Sequence, residues 1–489
     1  MSTTVSSPDG RAFQFAGARG HWLEAGAFVT LRADGGAGLG GGAGSGGGAG
    51  SDGGAGTGAQ LGQIEAVTHS LGGAAQGSGR LLGVLDPDGT LDGRRTRAFD
   101  EGEMASAEAR DVEALHLSAG ATLEIGSYLA TGGGPGSGGV ADVTPARLLP
   151  HRFNRHTFWC GQSGSGKTYA LGVVLEQLLV HTALPLVVFD PNADFVRLGE
   201  ARGDTGDGAV LAARDIRVLR AGSPDPLCLR ARFTDLATPA KGAVLHLDPL
   251  VDRAEFNELL HLEETLGSVS AERILPGLRA RGTAAAAELA ARLENLRVIE
   301  WQVWAGRSTT AIDVIESRPD ATVLDLGGFD HPDEPLVVAL AVLDDLWAKR
   351  ESRRPLLIVI DEAHNLCSPD TTSPLQVAVR ERIIQIAAEG RKFGLWLLLS
   401  TQRPSRVHAS VISQCDNLAL MKMTSPVDLD ELATVFGFVP SAMFARSPRF
   451  RQGEALFAGG FAPAPSMVRM GERLTPEGGG DVGVPLRAV

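Results

Sequence analysis

The stretch GQSGSGKT, Gly161–Thr168, decides the fold. It satisfies the pattern G-x-x-x-x-G-K-[ST], with the strand-like run TFWC before it and helical spacing from about Lys167 after it. Small residues let backbone N–H groups curl around phosphate oxygens, and a helix starting there adds the partial positive charge of its N-terminus. Gly161, Gln162, Ser163, Gly164, Ser165, Gly166, Lys167 and Thr168 are therefore the expected cradle for ATP. In this pattern Lys167 reaches the β and γ phosphates, and the Thr168 hydroxyl ligates Mg²⁺.

A second stretch, LLIVIDEAHNL, Leu356–Leu366, supplies the complementary half. Asp361, at the end of an apolar strand, suits a contact to Mg²⁺, and Glu362 beside it suits polarising an attacking water. The letters D-E-A-H also name a class of helicases. Those enzymes carry two nucleotide-binding cores in one chain, and too little chain follows His364 for a second core. Ala363-His364 is accordingly read as coincidental wording. No L-S-G-G-Q signature lies between the phosphate loop and Asp361, which disfavours an ABC-type ATPase. The Asp-Glu pair suits water as the acceptor better than a kinase substrate.

Working outward, the chain has 489 residues, an apolar fraction of 43% and a net charge of −13, which excludes a broadly basic nucleic-acid-coating surface. The 4 cysteines are isolated, as reduced thiols of a cytoplasmic protein would be. No secretory signal pattern and no apolar run long enough to span a membrane is seen, so a cytoplasmic, non-membrane location is expected. Residues 1–143 show short strand-like pieces, such as AFVTLRA, QLGQIEAV and RLLGVL, consistent with a small antiparallel barrel or sandwich. Gly/Ser/Ala runs at 35–62 and 132–139 read as flexible coil. From 144 to 489, apolar runs alternate with helical segments, the signature of an α/β domain with a parallel sheet. Between about 199 and 319 this pattern lapses into a helical insert; GEALFAGG and PSMVRM return to short strands, and the C-terminal tail, about 463–489, ends in a polar, Gly-rich extension.

A single core leaves the charge-stabilising arginine to come from elsewhere, and a closed ring of identical subunits would supply it in trans. The candidate lies in EGRKFGLWLLLSTQRPS. Ser373 and Pro374 are expected to start a helix whose buried stripe is Val379, Ile383 and Ile386, with Gly390 ending it. Arg391 then sits at an exposed corner, where a basic residue can also be a solvated helix end. Gln402 closes the next strand, either contacting water or γ-phosphate near Asp361 or serving as a polar cap.

Together GQSGSGKT, VVFDPNADF, IVIDEAHNL and EGRKFGLWLLLSTQRPSRVHASVISQCDNLALMKM resemble the HerA branch of the HerA–FtsK ATPases. The resemblance implies a RecA-like P-loop NTPase core with a helical insert, preceded by a small N-terminal β-barrel. It further implies a homo-hexameric ring acting on DNA as a translocase or helicase, through phosphate contacts without sequence specificity. A nuclease or other effector partner, in end processing or antiphage defence, goes with it. By the same resemblance, Lys167, Thr168, Asp361 and Glu362 match the nucleotide site, Gln402 the glutamine sensor and Arg391 the finger. DPNADF resembles the family's D-P-x-G-E-[YF], which gives Asp190 and Asp194 a site role; Ala193 in place of glycine and Asp194 in place of glutamate depart from that pattern, and the shorter carboxylate of Asp194 would at most assist. The alternative is a regulatory ATPase scaffold that gates a partner without productive translocation.

Overall fold

The computed structural model describes residues 4–18, 23–33, 58–70, 74–129, 144–203, 205–266 and 271–479. The glycine run expected as coil at 35–62 lies outside these residues up to 57, and the run at 132–139 lies outside them entirely. Two compact units emerge, residues 1–150 with 436–471, and residues 151–435 with 472–489.

The first unit is built on antiparallel strands β1 (Thr4–Ser7), β2 (Ala12–Ala18), β3 (Phe28–Ala33), β4 (Gln60–His69), β5 (Ala75–Leu85), β6 (Leu91–Asp92) and β7 (Phe99–Ser106). They run in the order β2-β1-β7-β3-β4-β5-β6, and a further β2–β5 pairing closes the barrel. Closure removes the unpaired edges that an open sheet would expose. Alternation along the strands sends Phe13, Phe15, Val29, Leu31 and Ile64 into one buried cluster. The rings of Phe13 and Phe15 lie over Gly79 and Gly77, where any Cβ would overlap them. After α1 (Ala109–Ala119) come β8 (Leu123–Tyr128) and β9 (Pro145–Leu148). β8 pairs antiparallel with β9 and with strand Ser466–Met470, which pairs in turn with Glu454–Gly459.

The second unit is an α/β domain. Its strands are β10 (His156–Cys160), β11 (Leu186–Asp190), β12 (Ile216–Arg220), β13 (Ala321–Asp325), β14 (Leu356–Ile360), β15 (Leu395–Thr401) and β16 (Cys415–Leu420). They are parallel, in the order β12-β13-β11-β14-β15-β10-β16. β10, β11, β13 and β14 are buried along their whole length, as expected of apolar strands covered on both faces. The covering helices include α2 (Lys167–His181), Glu334–Ala348 and Pro374–Glu389. This arrangement is a RecA-like P-loop NTPase core.

The stretch read as a helical insert does contain helices, such as Arg253–Leu266 and Ala284–Asn295, but it also contributes β12 to the sheet. β12 is the edge strand and is mostly half-exposed, so its sequence, IRVLR, lacks the apolar continuity that marks its neighbours. In the helix Pro374–Glu389, Val379, Ile383 and Ile386 are buried and Ser373 and Pro374 sit at its start. Gly390 follows it in the right-handed region, φ −58°, rather than in a left-handed cap. Its place is fixed by crowding, since a Cβ there would meet the Leu395 carbonyl oxygen at 2.9 Å. The left-handed turn falls to Gly394, φ 81°.

His156 is fully buried at the start of β10, where its Nδ1 accepts the Leu397 N–H at 2.9 Å. Burial, with the charges of Arg391 and Arg155, pushes its pKa down from 6.5 to about 4. The folded chain thus holds this proton less readily than the unfolded chain. The resulting stability is complete above pH 6.5 and is lost as pH falls toward about 4. Chemical denaturation at stepped pH is expected to show a loss of about 3 kcal/mol from this group across that window. His156→Asn retains an acceptor for Leu397 and should give a shallower curve; an unchanged slope would remove His156 as its source.

Candidate active site

Parallel pairing brings the C-terminal ends of β10, β15, β14 and β11 to one edge, with Cys160 beside Thr401 and Ile360 between Phe189 and Leu399. Ligands of open α/β sheets bind beyond this edge. After Cys160 the chain turns back into α2. The turn is pinned by Gly161 N–H to the Thr401 carbonyl at 3.3 Å and Gln162 N–H to the Lys422 carbonyl at 2.9 Å. Gly161 must be glycine, because a Cβ would meet both the Met421 Cβ and the Ser165 Oγ at 2.8 Å. Gly164 and Gly166 take left-handed φ of 74° and 85°. Gly166 caps α2 without a side-chain bond, so the first N–H groups of the helix face the loop's concavity. Ser165 Oγ is buried without a hydrogen-bond partner among the described residues. An orphaned hydroxyl beside free helix-start donors is the chemistry a phosphate group satisfies.

Lys167 projects from the first turn of α2 toward the end of β14. Its Nζ lies 3.0 Å from Asp361 Oδ1, 3.2 Å from Glu362 Oε1 and 2.9 Å from Ser400 Oγ. Burial opposes the ammonium charge, but Asp361 and Glu362 outweigh it and hold the pKa of Lys167 above its usual value. Glu362 occupies the left-handed region at φ 45°, a strained conformation of the kind that clusters at working sites. Gln402 Nε2 donates to Glu362 Oε1 at 2.6 Å. His364 Nδ1 lies 3.2 Å from Glu362 Oε2 and 3.1 Å from Thr401 Oγ1. Burial would raise the Glu362 carboxyl, yet His364, Lys167 and Gln402 hold it at about 2. Glu362 is therefore ionised and fixed in place.

On the other side of Asp361, β11 ends in Asp190, whose carboxylate accepts the N–H groups of Asp194 at 2.9 Å and Phe195 at 2.8 Å. These bonds close a tight turn in which Ala193 is left-handed at φ 61°. Asp194 Oδ2 faces the Thr168 hydroxyl at 3.5 Å. Burial raises Asp190 to about 7 and Asp194 to about 6. Carboxylate oxygens of Asp190, Asp194 and Asp361 lie within 4.8 Å of one another, and Asp361 Oδ2 has no partner among the described residues. An all-oxygen donor set of carboxylates beside a threonine hydroxyl fits Mg²⁺.

Of the residues singled out in the sequence, Gly161–Thr168, Asp190, Asp361, Glu362 and Gln402 thus share one sheet edge. Arg391 does not join them. It lies in the turn before β15, at the opposite end of the sheet, where Nη1 donates to Asp416 Oδ2 at 2.5 Å. His364 and Ser400 were missed. His364 was set aside as part of a coincidental spelling, although its place two residues after Glu362 at a strand end is a signal. Ser400 was hidden inside the apolar run LWLLLST, and its bond to Lys167 Nζ shows only in the fold.

This fold and cradle define a P-loop NTPase. Residues 124–345 match the family model for the central domain of helicase HerA. That match includes the phosphate loop and Asp190, while Asp361, Arg391 and Gln402 lie beyond it. A probable helicase of Methanocaldococcus jannaschii is 30% identical over 138 residues, 27% of this chain and 26% of that protein. The DNA double-strand break repair helicase HerA of Sulfurisphaera tokodaii is 26% identical over 171 residues, 33% of this chain and 34% of that protein. The chain thus spans only about a quarter to a third of the length of these curated relatives. The structure of VirB4 from Thermoanaerobacter pseudethanolicus shares the fold, with a TM-score of 0.50 at 14% identity, covering 72% of this chain and 97% of that one. Over residues 124–345 the chain is thus similar to the HerA/FtsK-like P-loop ATPases.

Because Lys167 and Asp361 are both buried, removing Lys167 leaves Asp361 without its cation, while removing Asp361 leaves Lys167 with Glu362 alone. A double-mutant cycle of Lys167→Met and Asp361→Asn, read by chemical denaturation, should show coupling of about 0.5–3 kcal/mol. Additive single effects would contradict the buried pair.

Proposed function

We propose that this chain hydrolyses ATP and that a ring of its copies uses the hydrolysis to act on DNA. The observation that carries the reading is the cluster of Lys167, Asp361, Glu362 and Gln402 facing the glycine loop. In this reading the N–H groups at the start of α2 and the Lys167 ammonium bind and orient the phosphates. Thr168 and Asp361 hold Mg²⁺, with Asp194 at their side. When bound, the ion neutralises charge on the phosphate oxygens. Glu362, ionised and clamped by Gln402, is placed to orient and polarise the attacking water. Asp190 shapes the turn through its two backbone bonds.

Arg391 faces away from its own chain's site, and in this reading it serves the site of a neighbouring copy in the ring. The hexameric state, the phosphate-based contact with DNA and a nuclease or effector partner rest on the resemblance of the motifs to HerA ATPases and belong to the same proposal. Among the described residues no helix is long and apolar enough to cross a membrane.

Glu362→Gln should lower ATP turnover by about 10²–10⁴ while nucleotide binding persists. Arg391→Ala should lower it by about 10³–10⁵. Mixed rings of Arg391→Ala and Lys167→Ala protein should regain turnover if the arginine acts across subunits. Turnover like wild type in Arg391→Ala would remove it from the site. DNA affinity should fall steeply with salt and ignore base sequence; salt-insensitive, sequence-selective binding would contradict the DNA reading.

A further inference from the structure

The segment Glu472–Gly479, expected from sequence to be only a polar tail, is instead tied to both halves of the candidate site. Its anchor is buried. Arg473 and Glu176 of α2 are each 1% exposed and paired at 3.0 Å. Glu176 also accepts the Leu474 N–H at 2.6 Å, the Thr475 N–H at 3.2 Å and the Thr475 hydroxyl at 2.5 Å. Tyr169 Oη accepts the Arg473 N–H at 2.9 Å. Gly172 makes room for this, since a Cβ there would meet the Arg473 guanidinium at 2.5 Å.

The far end of the segment is held lightly. Gly478 N–H donates to the Asp194 carbonyl at 3.1 Å. A Cβ at Gly478 would overlap the Ala193 carbonyl oxygen, and one at Gly479 would stand 2.9 Å from Asp194 Oδ1. The segment therefore spans from the helix that carries Thr168 to the turn that carries Asp194.

We propose that Glu472–Gly479 is a positioning strap that holds Asp194 toward Thr168 and thereby sets the affinity of the nucleotide site for its divalent cation. This rests on the reading of that site as one for a nucleotide with its metal. The strap acts through Asp194, whose carboxyl also feels the charge of Glu477 in the strap.

The test is Mn²⁺ binding to the full-length protein–ADP complex, followed by the electron paramagnetic resonance signal of free Mn²⁺. Gly478→Val leaves the Arg473–Glu176 anchor intact but cannot lie on the turn. Mn²⁺ affinity should fall by about 10–100-fold, the range seen when groups supporting metal ligands are removed. ADP binding in EDTA should not change, a separation that general destabilisation would not produce. Should Gly478→Val not fold, Gly478→Ala brings the same clash with the smallest side chain. Asp194→Asn should weaken Mn²⁺ binding in wild type and add little in the Gly478 variant. Unchanged Mn²⁺ affinity, or full additivity with Asp194→Asn, would overturn the strap. Loss of Lys167-dependent ADP binding in the wild type would instead overturn the nucleotide site itself.

Discussion

The structure turns on a buried ammonium between two carboxylates. Lys167 begins the helix that follows the phosphate loop, while Asp361 and Glu362 end a strand two positions away in the sheet. Taking these charges out of water costs several kcal/mol per ion, repaid only by close geometry and further hydrogen bonds. Ser400, from the intervening strand, and Gln402 just past its end supply those bonds. The order of β14, β15 and β10 is thus what makes the cluster tolerable. The two carboxylates hold the lysine at 3.0 and 3.2 Å, and a phosphate group offers it the same charge complement.

Much of this was legible in the sequence because the chemistry is local. Gly161–Thr168 reads as a phosphate loop from eight contiguous letters, and Asp361-Glu362 follows an apolar strand that can only be central. The parallel sheet was legible for the same reason, since β10, β11, β13 and β14 are buried on both faces and read as apolar runs.

What escaped reading depends on partners distant in sequence. β12 is an edge strand with half-exposed side chains, so nothing in IRVLR distinguishes it from a loop. His364 becomes meaningful only when the end of β15 brings Thr401 beside it. The role of the tail depends on Arg473 finding Glu176 about three hundred positions earlier. Arg391 illustrates the reverse case. Its corner reads from the sequence, yet within the chain its side chain pairs with Asp416, and use by a neighbouring copy is part of the proposal.

The most direct measurement is ATP turnover by the purified protein with and without linear duplex DNA, beside Lys167→Ala. The account predicts turnover that rises with DNA and disappears in the variant. Turnover that depends on Lys167 but ignores DNA would contradict the DNA motor and leave an ATPase that assembles or gates a partner. Turnover that survives in Lys167→Ala would contradict the site itself.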